Sequence, residues 1–250
     1  MGISRNELKV IDIIKSEFKD KSIKILELGP GKGMLVKGLL EAGFTNVEAM
    51  DMHPENFTIK NVKCHRGNLS EKLPFDDETY DLVVAAEAIE HLENQYNFAS
   101  ECARITKLYG NVMITTPNIT NFASRIRFLF TGFYSLAIRP SSEFQKNWVI
   151  EHIYPITFWQ LRHILHTNGL FIKILSTSKL RRSSFLGLLF WPLSYLFTYK
   201  ALNSEKEARQ NKVNMEILKQ MHTLALYLGR NQIVLTQKEP NHYIRTIENP

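Results

Sequence analysis

The chain has 250 residues, 44% of them hydrophobic and 22% charged, an ordinary globular composition that excludes disorder, collagen-like repeats and coiled coil as its main state. Its net charge of +6, from 31 basic and 25 acidic residues, is too mild to indicate nucleic-acid binding by itself. The excess is local: the window from His152 to Ser204 holds Arg162, Lys173, Lys179, Arg181, Arg182 and Lys200 and no acid.

Residues 6–19 place Leu8, Ile11, Ile14 and Phe18 at helical spacing. A strand over 23–28 then runs into the turn Gly29-Pro30-Gly31-Lys32-Gly33, and a helix over 34–42 stops at Gly43. Further strands are predicted over 46–51, 61–66 and 80–86. A helix follows at about 92–108, and a fifth strand over 111–116 ends at Pro117. The fourth and fifth strands are apolar nearly throughout, as in a parallel sheet covered on both faces. Residues 118–150 interrupt the alternation. A helix at 155–167 and a sixth strand at 170–178 follow, and residues 179–229 interrupt again with two helices. A last strand over 231–238 precedes a polar tail. The expectation is one domain over residues 1–250, a doubly wound α/β fold with two insertions. Segment 204–228 is amphipathic, with Met215, Leu218, Met221 and Leu224 to Leu228 toward a core.

Cys64 and Cys102 fall in a predicted strand and helix, which fits buried thiols in a reducing compartment. The N-terminus carries no apolar leader segment. Both point to the cytoplasm.

A strand, a glycine-rich turn, a helix and an acid at the end of the next strand form a nucleotide-binding arrangement. Glycines let the backbone pass close to a ligand. Asp51, 18 residues after Gly33, is placed to accept from ribose hydroxyls. A dinucleotide site would want a third glycine at position 34, where Met34 stands; the glycines are at 29, 31 and 33.

Ile25-Leu26-Glu27-Leu28-Gly29-Pro30-Gly31-Lys32-Gly33 instead resembles the first motif of class I S-adenosylmethionine-dependent methyltransferases. Asp51 matches the acid that holds the ribose. Gly67-Asn68-Leu69, Leu73 to Asp77 and Tyr80-Asp81-Leu82-Val83 resemble the adenine-side motif and fourth strand, with Asn68 in place of the usual Asp. The likeness is strong over residues 20–117 and weaker over 150–178 and 230–238, nearest to the ubiquinone-type O-methyltransferases of the type 11 group. It implies a Rossmann-like sheet of seven strands with the last antiparallel, and helical insertions after strands five and six. It also implies S-adenosylmethionine contacts at Glu27, Gly29, Gly31, Gly33, Asp51, Met52, Asn68, Leu69 and Ala86. The sulfonium makes its methyl electrophilic, so such a protein mostly aligns donor and acceptor and excludes water.

After the fourth strand comes Ala86-Glu87-Ala88-Ile89-Glu90-His91. If this stretch is helical, Glu87, Glu90 and His91 share a face, a plausible metal half-site. A second Glu-His pair, Glu151-His152, follows the first insertion. A similar arrangement occurs in the ubiquinone-type enzymes and in small-RNA 2′-O-methyltransferases, where it holds a divalent cation. Carried over, the ligands of a Mg²⁺ or Mn²⁺ ion are Glu87, Glu90, His91 and His152. Without metal, His91, His152 or Glu90 serves as base or orienting group, or the group is structural.

Both insertions leave from carboxyl ends of strands and belong on the acceptor side. Residues 118–150 read as a lid containing Arg125 to Tyr134. Residues 183–199 carry no charge and hold Phe185, Leu189, Phe190, Trp191 and Phe197 among others. Interrupted by Pro192 and flanked by cations, they suit shallow insertion into a membrane surface better than a span, the competing role being a hairpin capping the core or a dimer contact. The preferred reading is an O-methyltransferase at the inner face of a membrane, acting on a hydroxyl of a lipid-linked glycan or quinol precursor. RNA 2′-O-methylation is the rival, disfavoured because the basic window is mainly apolar. A non-catalytic, membrane-docked cofactor-binding subunit is the reading of another class.

Overall fold

The computed structural model describes residues 2–134 and 154–240. Seven strands form one sheet in the order β3-β2-β1-β4-β5-β7-β6. They are β1 (Ile25–Leu28), β2 (Val47–Asp51), β3 (Cys64–Arg66), β4 (Tyr80–Ala86), β5 (Thr106–Pro117), β6 (Leu170–Ser176) and β7 (Asn231–Lys238). Strands β1 to β5 pair parallel, while β7 runs antiparallel to both its neighbours. This is the expected doubly wound sheet with its last strand reversed.

Helices cover both faces. Against one face lie α1 (Arg5–Glu17) and α2 (Met34–Glu41), burying Val10, Ile14, Leu35 and Leu39 over Ile25, Val84 and Met113. Against the other lie α3 (Gln95–Ile105) and α5 (Phe158–Thr167), burying Phe98, Cys102, Leu161 and Leu165 over Leu26, Val83 and Ile114. Met113 and Ile114 show the alternation that sends successive β5 side chains to opposite faces.

Boundaries moved where local capping overrode periodicity. Ser4 and Glu7 form a reciprocal capping box that starts α1 at Arg5. Its buried stripe is Val10, Ile11, Ile13 and Ile14, while Leu8, at helical spacing with Ile11 and Ile14, is 49% exposed. The helix expected from 92 starts at Gln95, because the Asn94 side chain accepts from Asn97 N–H. It ends at Ile105 rather than 108, since β5 begins at Thr106. Strand β3 is only three residues long, a blunted sheet edge.

The first insertion contributes α4 (Phe122–Thr131), capped by Asn121 and closed by Gly132 in the left-handed region. The second holds more helix than the two segments expected. A 3₁₀ run over Arg182–Phe190 leads directly into α6 (Trp191–Leu202), then α7 (Ala208–Met221) and α8 (Leu224–Tyr227). A small third core, Phe122, Tyr227 and Leu228 with Leu180 and Trp191, ties the two insertions together. Gly187 lies flat against Phe122, where a Cβ would come within 2.3 Å of the ring. Leu218, Leu226, Tyr227 and Leu228 are buried as expected, while Leu224 is exposed.

Candidate active site

The carboxyl ends of β1 and β4, the amino end of α1 and the loops beside β6 and β7 enclose a cavity of about 460 Å³. It is lined by Glu27, Gly29, Gly31, Ala86 and Glu87 from the predicted set. Ser4, Asn6, Ser178, Lys179, Arg230 and Asn231 also line it, and the sequence reading missed these.

Gly29, Gly31 and Gly33 all have positive φ, +74°, +53° and +84°, a conformation that side-chained residues adopt at a cost. Their roles differ. A Cβ on Gly31 would meet nothing within 4 Å, so that face is open to a ligand. A Cβ on Gly33 would lie 2.5 Å from the Phe57 ring, so Gly33 serves packing at the start of α2. Leu69 and Ala88 flank Gly29.

Glu27 is 3% exposed and its Oε2 has no hydrogen-bond partner. Burial, then the negative charge of Glu7, pushes its pKa up to about 8. A buried carboxylate oxygen without a donor, facing a cavity, is matched by a cationic donor. The amino group of S-adenosylmethionine is such a donor, and an open glycine turn beside it admits the rest of the molecule. The residues present therefore fit this cofactor: Glu27 would hold its amino end and Gly29 to Gly31 would pass beside it. Asp51 ends β2, its Oδ1 accepting from His53 N–H at 2.8 Å and its Oδ2 from Gly31 N–H at 3.1 Å. Met52 follows it, 41% exposed. Asn68 is engaged in its own turn: Oδ1 accepts from Ser70 N–H and Nδ2 donates to Glu71. That leaves less of its amide for an adenine edge than its place in the motif suggests.

The expectation that Glu87, Glu90 and His91 share one helix face is corrected by the backbone. Glu87 has φ +53°, and only Ile89–His91 forms a single 3₁₀ turn. The two carboxylates are drawn to adjacent hydroxyls of β5, which point to opposite faces of the sheet. Glu87 Oε1 accepts from Thr115 Oγ1 at 3.0 Å and from Asn6 Nδ2 at 3.0 Å. Glu90 Oε2 accepts from Thr116 Oγ1 at 2.9 Å. Among the described residues no three potential ligands are grouped for a metal; Glu151 and His152 lie outside the described residues. Glu87 lines the cavity, whereas Glu90, 1% exposed, and His91 do not. Burial and the charge of Glu87 push Glu90 up to about 8, and burial also raises Glu87. A carboxylate raised toward neutrality at a cavity wall can accept a proton from a hydroxyl.

Asn6 joins this group to the last strand. Its amide donates to Thr115 Oγ1 at 2.8 Å and accepts from Asn231 Nδ2, and Asn231 in turn accepts from Ser178. The capping box at Ser4 and Glu7 was the available signal that α1 begins here. Nothing local in the sequence says that its first turn meets side chains 81, 109 and 225 residues away.

Residues 26–114 match the family of methyltransferase domains. The chain is 24% identical over 210 residues to the human mitochondrial ubiquinone biosynthesis O-methyltransferase, covering 78% of this chain and 54% of that one. It is 33% identical over 122 residues to the ubiquinone biosynthesis O-methyltransferase of Rickettsia bellii, covering 46% and 50%. The chain thus spans about half the length of these curated relatives. A crystal structure of an S-adenosylmethionine-dependent methyltransferase from Archaeoglobus fulgidus superposes with TM-score 0.56 at 18% identity, covering 93% and 94% of the two chains. One from Mesorhizobium loti gives 0.52 at 12%, covering 90% and 96%. These two likenesses speak to the fold.

Proposed function

We propose that this chain, a member of the class I S-adenosylmethionine-dependent methyltransferases, methylates a hydroxyl of a lipid-linked or membrane-associated acceptor, a lipid-carried glycan or a quinol precursor, at the inner face of a membrane. The observation that carries the membrane part is the exposed apolar surface beside the cavity. The helical run Arg182–Leu202 is 21 residues long with mean hydropathy 1.2, and almost none of it is buried. Leu186, Leu189 and Phe197 are 65%, 76% and 63% exposed, and Leu129 and Phe130 of α4 reach 73% and 79%. Soluble surfaces rarely gather so many large apolar side chains.

The run is docked along one side. Ser184 and Gly187 are buried, and Trp191 Nε1 donates to His222 O at 3.2 Å. A helix held to the domain this way lies in an interface better than across a bilayer. Ser178 and Lys179 line the cavity immediately before it, so an acceptor rising from the membrane would reach the site along this segment. The buried thiol Cys102 and the half-buried Cys64, both free, agree with a reducing compartment.

When bound, the cofactor supplies the electrophilic methyl. Glu27 would orient its amino end, the open glycine turn would let it pass close to the backbone, and Glu87 would accept the proton of the acceptor hydroxyl. The relatives named as ubiquinone biosynthesis O-methyltransferases support oxygen as the methylated atom. An RNA acceptor would draw on the Glu87, Glu90, His91 and His152 metal set, which the division of Glu87 and Glu90 between two faces disfavours. The test is labelled methyl transfer into fractionated lipid, polysaccharide and RNA, with flotation on anionic vesicles in parallel. Label in the lipid or lipid-linked fraction and co-flotation are expected. Label confined to RNA, or a protein that ignores anionic vesicles, would defeat the membrane reading; cofactor binding without any transfer would favour a non-catalytic subunit.

A further inference from the structure

The part of the cavity lining beside β6 and β7 carries an unusual charge arrangement. Residues 179–181 and 228–230 form a short antiparallel ladder: Leu180 bridges Gly229, Arg230 N–H donates to Lys179 O at 2.9 Å and Arg181 N–H to Leu228 O at 2.8 Å. Lys179 and Arg230 are therefore directly opposite each other, and both line the cavity. Like charges in this position repel and destabilise a ladder.

The ladder is nevertheless firmly built. A Cβ on Gly229 would fall 1.9 Å from Ala225 O, so only glycine fits. Asn118 Nδ2 donates to Leu226 O and Gly229 O, and Asn118 N–H to Arg230 O. A third cation stands behind the pair: Arg181 is depressed by burial and by the nearby charges of Arg230 and Arg127. Among the described residues no salt bridge is formed by Lys179, Arg181 or Arg230. The charge of Arg230 is felt by Glu87, which the proposed chemistry uses, and Glu7 and Glu27 line the same cavity.

This wall is not the cofactor's wall. Along the sheet, β7 is three strands from β1, about 14 Å at the usual strand spacing of about 4.8 Å, and β6 is one strand further. Glu87 and Asn6 stand between them. We propose that Lys179 and Arg230 form an anion subsite that holds a phosphate or diphosphate group of the methyl acceptor. Two facing cations with a third behind them match a group of two or more negative charges better than a single carboxylate. The inference rests on the methyltransferase reading and adds the chemical class of the acceptor.

The test uses the full chain saturated with S-adenosylhomocysteine, titrated calorimetrically at fixed ionic strength with inorganic pyrophosphate, farnesyl diphosphate and benzoate. Pyrophosphate is expected to bind more tightly than benzoate. The doubly substituted Lys179→Gln, Arg230→Gln protein should lose about tenfold in pyrophosphate affinity and keep its S-adenosylhomocysteine affinity within about twofold. Both side chains are exposed and mutually repelling, so its Tm should match or exceed the wild type, and the charge-preserving Lys179→Arg, Arg230→Lys protein should retain binding. Tighter binding of farnesyl diphosphate than of pyrophosphate would place the phosphate on a lipid; equal binding would place it on a free molecule, and both support the subsite. Absence of pyrophosphate binding, benzoate binding as tight as pyrophosphate, or parallel loss of S-adenosylhomocysteine from the Gln variant would overturn it. A wild type that binds pyrophosphate but never S-adenosylhomocysteine would overturn the methyltransferase reading instead.

Discussion

Replacing Glu27 by Gln should stabilise the empty protein and weaken its cofactor binding, two effects of opposite sign from one oxygen. The carboxyl is buried, with an ordinary value of 4.5 pushed up to about 8. In the unfolded chain it ionises near 4.5; in the folded chain it stays protonated until about 8. The folded state thus binds the extra proton, so stability is full below 4.5 and falls as pH rises toward 8. At pH 7 the accumulated cost is about 3 kcal/mol. Glutamine keeps the shape and cannot ionise in either state, so Glu27→Gln should raise stability at pH 7 by up to that amount and change little at pH 4.5. Binding runs the other way. The cofactor's ammonium pairs with the ionised carboxylate, so binding below pH 8 must expel a proton. Wild-type affinity should climb by up to about tenfold per pH unit between pH 6 and 7.5. In Glu27→Gln that slope should vanish, and loss of the charge-assisted bond should cost about 2 kcal/mol, roughly 30-fold, at pH 7.5. Denaturant unfolding of the ligand-free protein at two pH values reads the first effect. Calorimetry with S-adenosylhomocysteine in buffers of different ionisation enthalpy reads the second. Wild-type affinity independent of pH, with undiminished binding by the variant, would refute the assignment of Glu27 to the amino end of the cofactor.

Glu87→Gln should lower kcat by about 10²- to 10⁴-fold with S-adenosylhomocysteine affinity little changed, and the wild-type rate should rise with pH as the raised carboxyl ionises; a rate that follows Glu90→Gln instead would move the base to the other face of the sheet. Gly33→Ala pairs φ +84° with a 2.5 Å contact to Phe57 and should cost about 1–3 kcal/mol in denaturant unfolding. Thr116→Val removes the hydroxyl that donates to buried Glu90 and should cost about 1–3 kcal/mol, read from the same curves. Titration with Mg²⁺ or Mn²⁺ should give no binding that Glu87→Gln abolishes; uptake lost in that variant would restore the four-ligand metal site.

The strands of the sheet and the cofactor half of the site were legible because their determinants are local. Near-continuous apolar runs at 80–86 and 111–116 mark strands buried on both faces, and glycine spacing at 29, 31 and 33 reports a backbone that must turn tightly. Met34 in place of a third dinucleotide-type glycine already pointed away from that class. Leu8 keeps the helical spacing but faces solvent, because periodicity alone does not set the rotation of a helix; the packing of Val10 and Ile14 over the sheet does.

Tertiary structure decided the acceptor half. Glu87 and Glu90 are three residues apart, and helical spacing would stack them. Thr115 and Thr116 pull them apart because adjacent strand residues face opposite sides of a sheet. Asn6, Lys179 and Arg230 carry no motif, and they meet only because α1 folds over the carboxyl edge while the antiparallel β7 returns beside β6. A basic window and a net charge of +6 are sequence facts. That two of the cations flanking that last strand face each other across a ladder, beside the cavity and next to an apolar surface, follows from a reversed strand pairing that only the folded sheet creates.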